Sequence, residues 1–145
     1  MAGTLTVTMS NPYAQGGPNT ITLDWIATSG GAVSAAIAST YAAAQLATYQ
    51  YATPRPSKII GKLVRAVVAP GTNGAGAALT PTAGYDITLL NPYSGDVAGG
   101  NLLDRSATLP ESWVPDEPIA IDCDLTFTVA NAGDSKRGRV VLYFE

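Results

Sequence analysis

Alternation of apolar and polar side chains with a period of two restricts this chain more than any other feature. A strand sends successive side chains to opposite faces, so such alternation suits a half-buried strand and no helix. It is clearest over residues 119–130, where Ile119, Ile121, Cys123, Leu125, Phe127 and Val129 fall on one face. That run reads as one strand, the strongest in the chain. The pattern returns over residues 4–10, with Leu5, Val7 and Met9 inward and Thr4, Thr6 and Thr8 outward. It returns again over 20–27 (Ile21, Leu23, Trp25), 58–69 (Ile59, Leu63 and Val67, with Lys62 and Arg65 toward solvent) and 138–144 (Val140, Leu142, Phe144). Branched Cβ atoms make threonine a good outward strand residue. Gly, Pro, Asn and Asp punctuate the gaps, at 11–19, 70–77 and 131–135. The expected fold is mainly β: an antiparallel β-sandwich or jelly-roll-like barrel with one Ala-rich helical insertion, in a single domain spanning 1–145.

The insertion lies at residues 32–56. Residues 32–49 are alanine-rich, hold no Pro or Gly, and place Val33, Ile37, Tyr41, Ala44 and Thr48 at roughly helical spacing. They predict one helix, clearest over 40–48, with Ser29 as a cap and Pro54 and Pro56 beyond its end. The 33–38 part also reads as a strand. A helix this short is marginal alone in water, so it must dock on the sheet or on a neighbouring subunit. Tyr41, Tyr49 and Tyr51 suit either core packing or an interface. Residues 53–56, Thr-Pro-Arg-Pro, form a stiff segment carrying Arg55.

Chemistry is hard to build from this composition. There is no histidine, which removes the commonest general base, the Ser-His triads and most zinc sites. The one cysteine, Cys123, sits at an inward strand position and forms no internal disulfide. Asp122 and Asp124, two apart on the expected strand, share a face and read as wet surface, with calcium as the sharper alternative. The glycines at 71–76 lack the Lys-Ser/Thr ending of a phosphate-binding loop. Eight basic residues and a net charge of −3 give no basic stripe for nucleic acid; residues 136–139, Lys-Arg-Gly-Arg, read as a solvated hairpin tip. No apolar run approaches the ~18 residues that span a bilayer, and nothing at the start reads as a leader. The expectation is therefore no catalytic residue, no metal, no cofactor, no nucleic-acid partner and no membrane. Charged residues are 13% of the chain, against roughly 25% in an average domain. A surface so poor in charge points to burial against other subunits, because interface cores are depleted of charge.

Residues 81–106 organise the rest. Tyr85, Ile87 and Leu89 alternate with Asp86, Thr88 and Leu90, and then Asn91-Pro92 breaks the strand. Turn chemistry follows at Ser94-Gly95-Asp96, then Gly99-Gly100, then Asp104-Arg105, read as an ion pair holding the corner. Beyond it, 109–118 is an irregular crossing with three prolines around Trp113. The string Tyr85-Asp86-Ile87-Thr88-Leu89, Gly95-Asp96-Val97, Gly99-Gly100 and Arg105-Ser106, preceded by Ile59-Ile60-Gly61-Lys62-Leu63-Val64-Arg65, resembles small β-rich virion structural proteins of tailed bacteriophages. The resemblance covers residues 59–111, and Leu90-Asn91-Pro92-Tyr93 stands where a more acidic turn is expected. It implies a non-enzymatic head decoration (cement) protein located in the virion and assembled in the host cytoplasm. It also implies a homotrimer whose partner is the major capsid protein. The alternatives are a neck, tail or baseplate component and a carbohydrate-binding or host-adhesion module. Contact segments expected on this reading are the N-terminal arm 1–4, residues 32–55 and the corner 91–105. Their candidate interface residues are Tyr41, Tyr49, Tyr51, Arg55, Tyr93, Asp96, Asp104 and Arg105, with Trp113 nearby.

Overall fold

The computed structural model describes residues 3–10, 20–28, 30–48, 58–71 and 80–145, with side chains of the helix described as far as residue 43. Residues 11–19, 49–57 and 72–79, with Tyr49, Tyr51 and Arg55 among them, lie outside the described residues. The alternating segments form β1 (Thr4–Met9), β2 (Thr20–Ile26), β3 (Val33–Ala36), β4 (Ile59–Pro70) and β5 (Asp86–Leu90). They continue as β6 (Glu111–Trp113), β7 (Ile119–Cys123), β8 (Thr126–Ala130) and β9 (Arg137–Phe144), with one helix, α1 (Ile37–Thr48).

Two antiparallel sheets result. The larger runs β1-β2-β9-β4-β6, with β7 also on β4, and the smaller runs β3-β8-β5. Their inward faces share one apolar core, crossed by Trp25 of β2 and Tyr85 beside β5, whose rings tilt together at 5.6 Å. The protein is thus mainly β, an open two-sheet arrangement with no closed barrel among the described residues. Gly138 of β9 faces Trp25, and a Cβ there would strike the indole ring.

Several boundaries differ from the sequence reading. Residues 119–130 are two strands in different sheets, because the chain leaves the large sheet at Asp124-Leu125 and enters the small one. The reason lies at α1. The carboxylate of Asp124 accepts from Ala38 N (2.7 Å), Ser39 N (3.2 Å) and the Ser39 hydroxyl (2.8 Å), while Leu125 O accepts from Ile37 N (2.8 Å). The first three amides of α1 are therefore capped from far along the chain, one by Leu125 O and two by the carboxylate of Asp124. Ser29, the expected cap, lies outside the described residues. The 32–49 segment splits accordingly: Val33–Ala36 pairs with β8, and the helix begins at Ile37. In β4 a register shift between Leu63 and Arg65 turns Ala66 and Val68 into the core in place of Val67. The 109–118 crossing contains a short strand, β6. Residues 137–139 belong to β9 and not to a hairpin tip: Arg139 forks onto Asp24 of β2 at 2.6 and 3.1 Å. That hydrogen bond raises the Arg139 pKa. Asp122 pairs instead with Lys58 at 2.8 Å, and Cys123 is half-buried against the core.

Candidate functional site

The corner at 91–105 is an edge cover. After β5 the chain doubles back, and its backbone meets the strand's outer side through Ile87 N to Leu102 O (3.0 Å), Val97 N to Leu89 O (2.9 Å) and Arg105 N to Tyr85 O (2.8 Å). An unpaired strand edge invites pairing with any other strand, so this cover removes a liability. Leu102 and Ala98 anchor it in the core. Gly99 and Gly100, at φ +60° and +84°, make the turn a Cβ would resist.

Its polar side chains hold the backbone. Asp96 accepts from Leu89 N (3.0 Å), Ala98 N (3.1 Å) and Gly100 N (3.0 Å). Asn91 Oδ1 accepts from Tyr93 N and Gly95 N, both at 2.9 Å. Asp86 accepts from Asp104 N and from Asn131 Nδ2, each at 3.0 Å, tying the corner to the turn after β8. The expected Asp104–Arg105 pair does not form. Arg105 donates to Leu103 O from Nε (2.9 Å) and Nη2 (2.7 Å) and meets Glu111 at 3.4 Å, while Glu111 also accepts from Ser106 N at 2.6 Å. Asp104 turns at φ +54° with its amide on Asp86, whereas Glu111 arrives at the start of β6 within reach of Arg105. Sequence reasoning missed Glu111; a capping carboxylate six residues after an arginine was the signal available.

Tyr85 lies beneath this clasp, fully buried, with no hydrogen-bond partner for its hydroxyl among the described residues. Burial first, and then the charge of Glu111, push its pKa well above the ordinary phenol value, against a smaller opposing pull from Arg105. Among the other residues singled out from sequence, Tyr41 projects from α1 into the core and Trp113 is half-buried against it. Thr4 pairs with Ile26 in β1, and a Cβ on Gly3 would strike the Ala32 carbonyl oxygen. Tyr93, held on its Asn91 loop, is 92% exposed. Leu109 (65%), Val114 (64%) and Leu103 are also exposed.

The result is a corner in which Asp96 binds local amides, Ala98 and Leu102 are buried, and Tyr93 and Leu103 face water. Among the described residues no three Asp, Glu or Cys side chains gather to hold a metal ion, and no helix is long and apolar enough to cross a membrane. Comparison with protein-family models, curated proteins and solved structures finds no match to this chain.

Proposed function

We propose that this chain is a non-enzymatic virion structural protein, a capsid decoration protein that binds the outer head surface as a symmetric oligomer, a trimer, and stabilises neighbouring capsid subunits. One observation carries the reading. In the corner and the segments flanking it, Asp86, Asp96 and Glu111 are committed to internal backbone donors, while Tyr93, Leu109 and Val114 are exposed. A catalytic site keeps reactive groups free and recessed; a docking surface keeps rigid aromatic and aliphatic side chains outward. The sequence resemblance to phage structural proteins and the sparse charge support the same reading. Docking this surface across a seam makes loss of a capsid subunit cost both its own contacts and those of the bridging chain.

Co-sedimentation with capsids assembled without this chain tests it. Saturable binding is expected, reduced at least about tenfold by Tyr93→Asp with Leu109→Asp, as for loss of a central apolar anchor. Absence of binding by the folded wild-type protein overturns it. Exposure of Tyr93 also favours a second reading, stacking on a sugar in host adhesion. That reading requires oligosaccharide binding that Tyr93→Ala abolishes; the half-buried Trp113 would contribute little.

A further inference from the structure

Among the described residues the guanidinium of Arg137 has no partner. All 11 acidic residues of the chain are described, and the ion pairs they form are Lys58–Asp122, Arg105–Glu111 and Arg139–Asp24. Arg137 belongs to none of them, and its Nε is buried without a hydrogen-bond acceptor. The register shows why. Arg137 opens β9 with its side chain on the outer face of the large sheet, since Gly138 and Val140 face the core. Ile26 and then Thr4 lie across from it on one side, and Gly71 lies on the other with its amide on the Arg137 carbonyl. None of these side chains is charged. Arg139 follows on the same face, with Nε and Nη2 on Asp24 at 2.6 and 3.1 Å. Both oxygens of the nearest carboxylate are therefore already engaged. The turn before β9 adds Asp134 and Lys136, one charge of each sign.

Two guanidinium groups against one carboxylate leave one positive charge on this face. A buried donor left unpaired is costly, and more so on a charged group. A guanidinium fork matches a planar carboxylate through two parallel N–H bonds. Desolvation cost grows with the square of a ligand's charge and attraction only linearly, so a half-buried site favours a monoanion. A polynucleotide needs a stripe of cations that this face lacks. We infer that Arg137, beside Arg139 on the outer face of β9, is a binding site for a carboxylate, either a small free one or an acidic side chain of a protein partner. The inference goes beyond the proposed function and does not depend on it.

Titration of the isotope-labelled full chain with sodium acetate, at an ionic strength held constant with sodium chloride, tests it. NMR reads the arginine Nε–Hε signals, each assigned through its own backbone. A saturable shift of the Arg137 signal is expected, with a dissociation constant of about 10–100 mM for a single bidentate charged contact. Arg65, exposed on the same sheet and stacked on Tyr143, is the internal control and should move much less. A blocked tripeptide, acetyl-Leu-Glu-Leu-amide, separates the two sources. Binding about tenfold tighter than acetate names a partner's side chain, because Ile26 and Ala69 then bury hydrocarbon against it; binding no tighter names a small carboxylate. Arg137→Gln leaves the Asp24–Arg139 pair in place and should abolish the binding of both probes. An Arg137 signal that moves no further than that of Arg65, a shift that never saturates, or peptide binding that survives Arg137→Gln overturns the inference.

Discussion

Replacing Asp124 by alanine should cost far more than a polar residue at a strand end ordinarily does. Its carboxylate receives two first-turn amides of α1 and the Ser39 hydroxyl. Loss of a helix N-cap costs about 0.5–2 kcal/mol, and the favourable charge at the positive helix end adds about 0.3–1 kcal/mol. The group is half-buried, so water replaces only part of what is lost. A destabilisation of about 2 kcal/mol is expected for Asp124→Ala. In a domain of this size that lowers the Tm by about 4–8 °C. Asp124→Asn keeps an acceptor and loses the charge, for about 1 kcal/mol, and Ser39→Ala removes one hydroxyl bond, for about 0.5 kcal/mol. Urea unfolding followed by far-UV circular dichroism and Trp fluorescence measures all three. A loss below about 0.5 kcal/mol for Asp124→Ala, or a Ser39→Ala loss equal to it, would refute the cap as the reason the chain changes sheets at this residue.

Leu102→Ala should cost about 2–5 kcal/mol and promote aggregation measurable by light scattering, because it releases the cover on the β5 edge as well as opening a cavity. Gly138→Ala should cost at least about 1–3 kcal/mol and shift the Trp25 emission, since the added methyl meets the indole Cε2 at 2.7 Å in a filled core. Tyr85→Phe should be neutral or stabilising near pH 7, because it removes a buried hydroxyl with no described partner. The same variant changes the alkaline response. The folded phenol has a raised pKa, so its stabilisation of the fold is complete below the unfolded value of about 10 and is lost as pH climbs above it. Unfolding midpoints taken from pH 8 to pH 11 should fall more steeply for the wild type than for Tyr85→Phe, and parallel curves would contradict the buried phenol.

Strand-rich architecture was legible because the period-two pattern is local. Leu5, Val7 and Met9, or Val140, Leu142 and Phe144, declare their face without knowing their partners. What the sequence concealed depends on groups far apart in the chain. The alternation of residues 119–130 passes unbroken through Asp124-Leu125, and only the tertiary cap of α1 reveals that the strand ends there. The slip in β4 was hidden for a similar reason, since Ala66, Val67 and Val68 are all plausible core residues and partner register decides among them. At the candidate site, Asp96 and Arg105 were legible as corner residues from the Gly-rich turn around them. The roles differ: Asp96 organises backbone amides, and Arg105 chooses Glu111 over its neighbour Asp104. Tyr41 was legible as a packing or interface residue, and the docking of α1 decides that it is buried.

The measurement that bears most directly on the account is the number of copies of this chain in purified virions, by quantitative mass spectrometry against the major capsid protein. A decoration protein covering the shell gives a ratio near one to one. A few copies per particle would contradict a shell-covering role and move the chain to the neck, tail or baseplate. Absence from the particle would contradict the virion reading altogether.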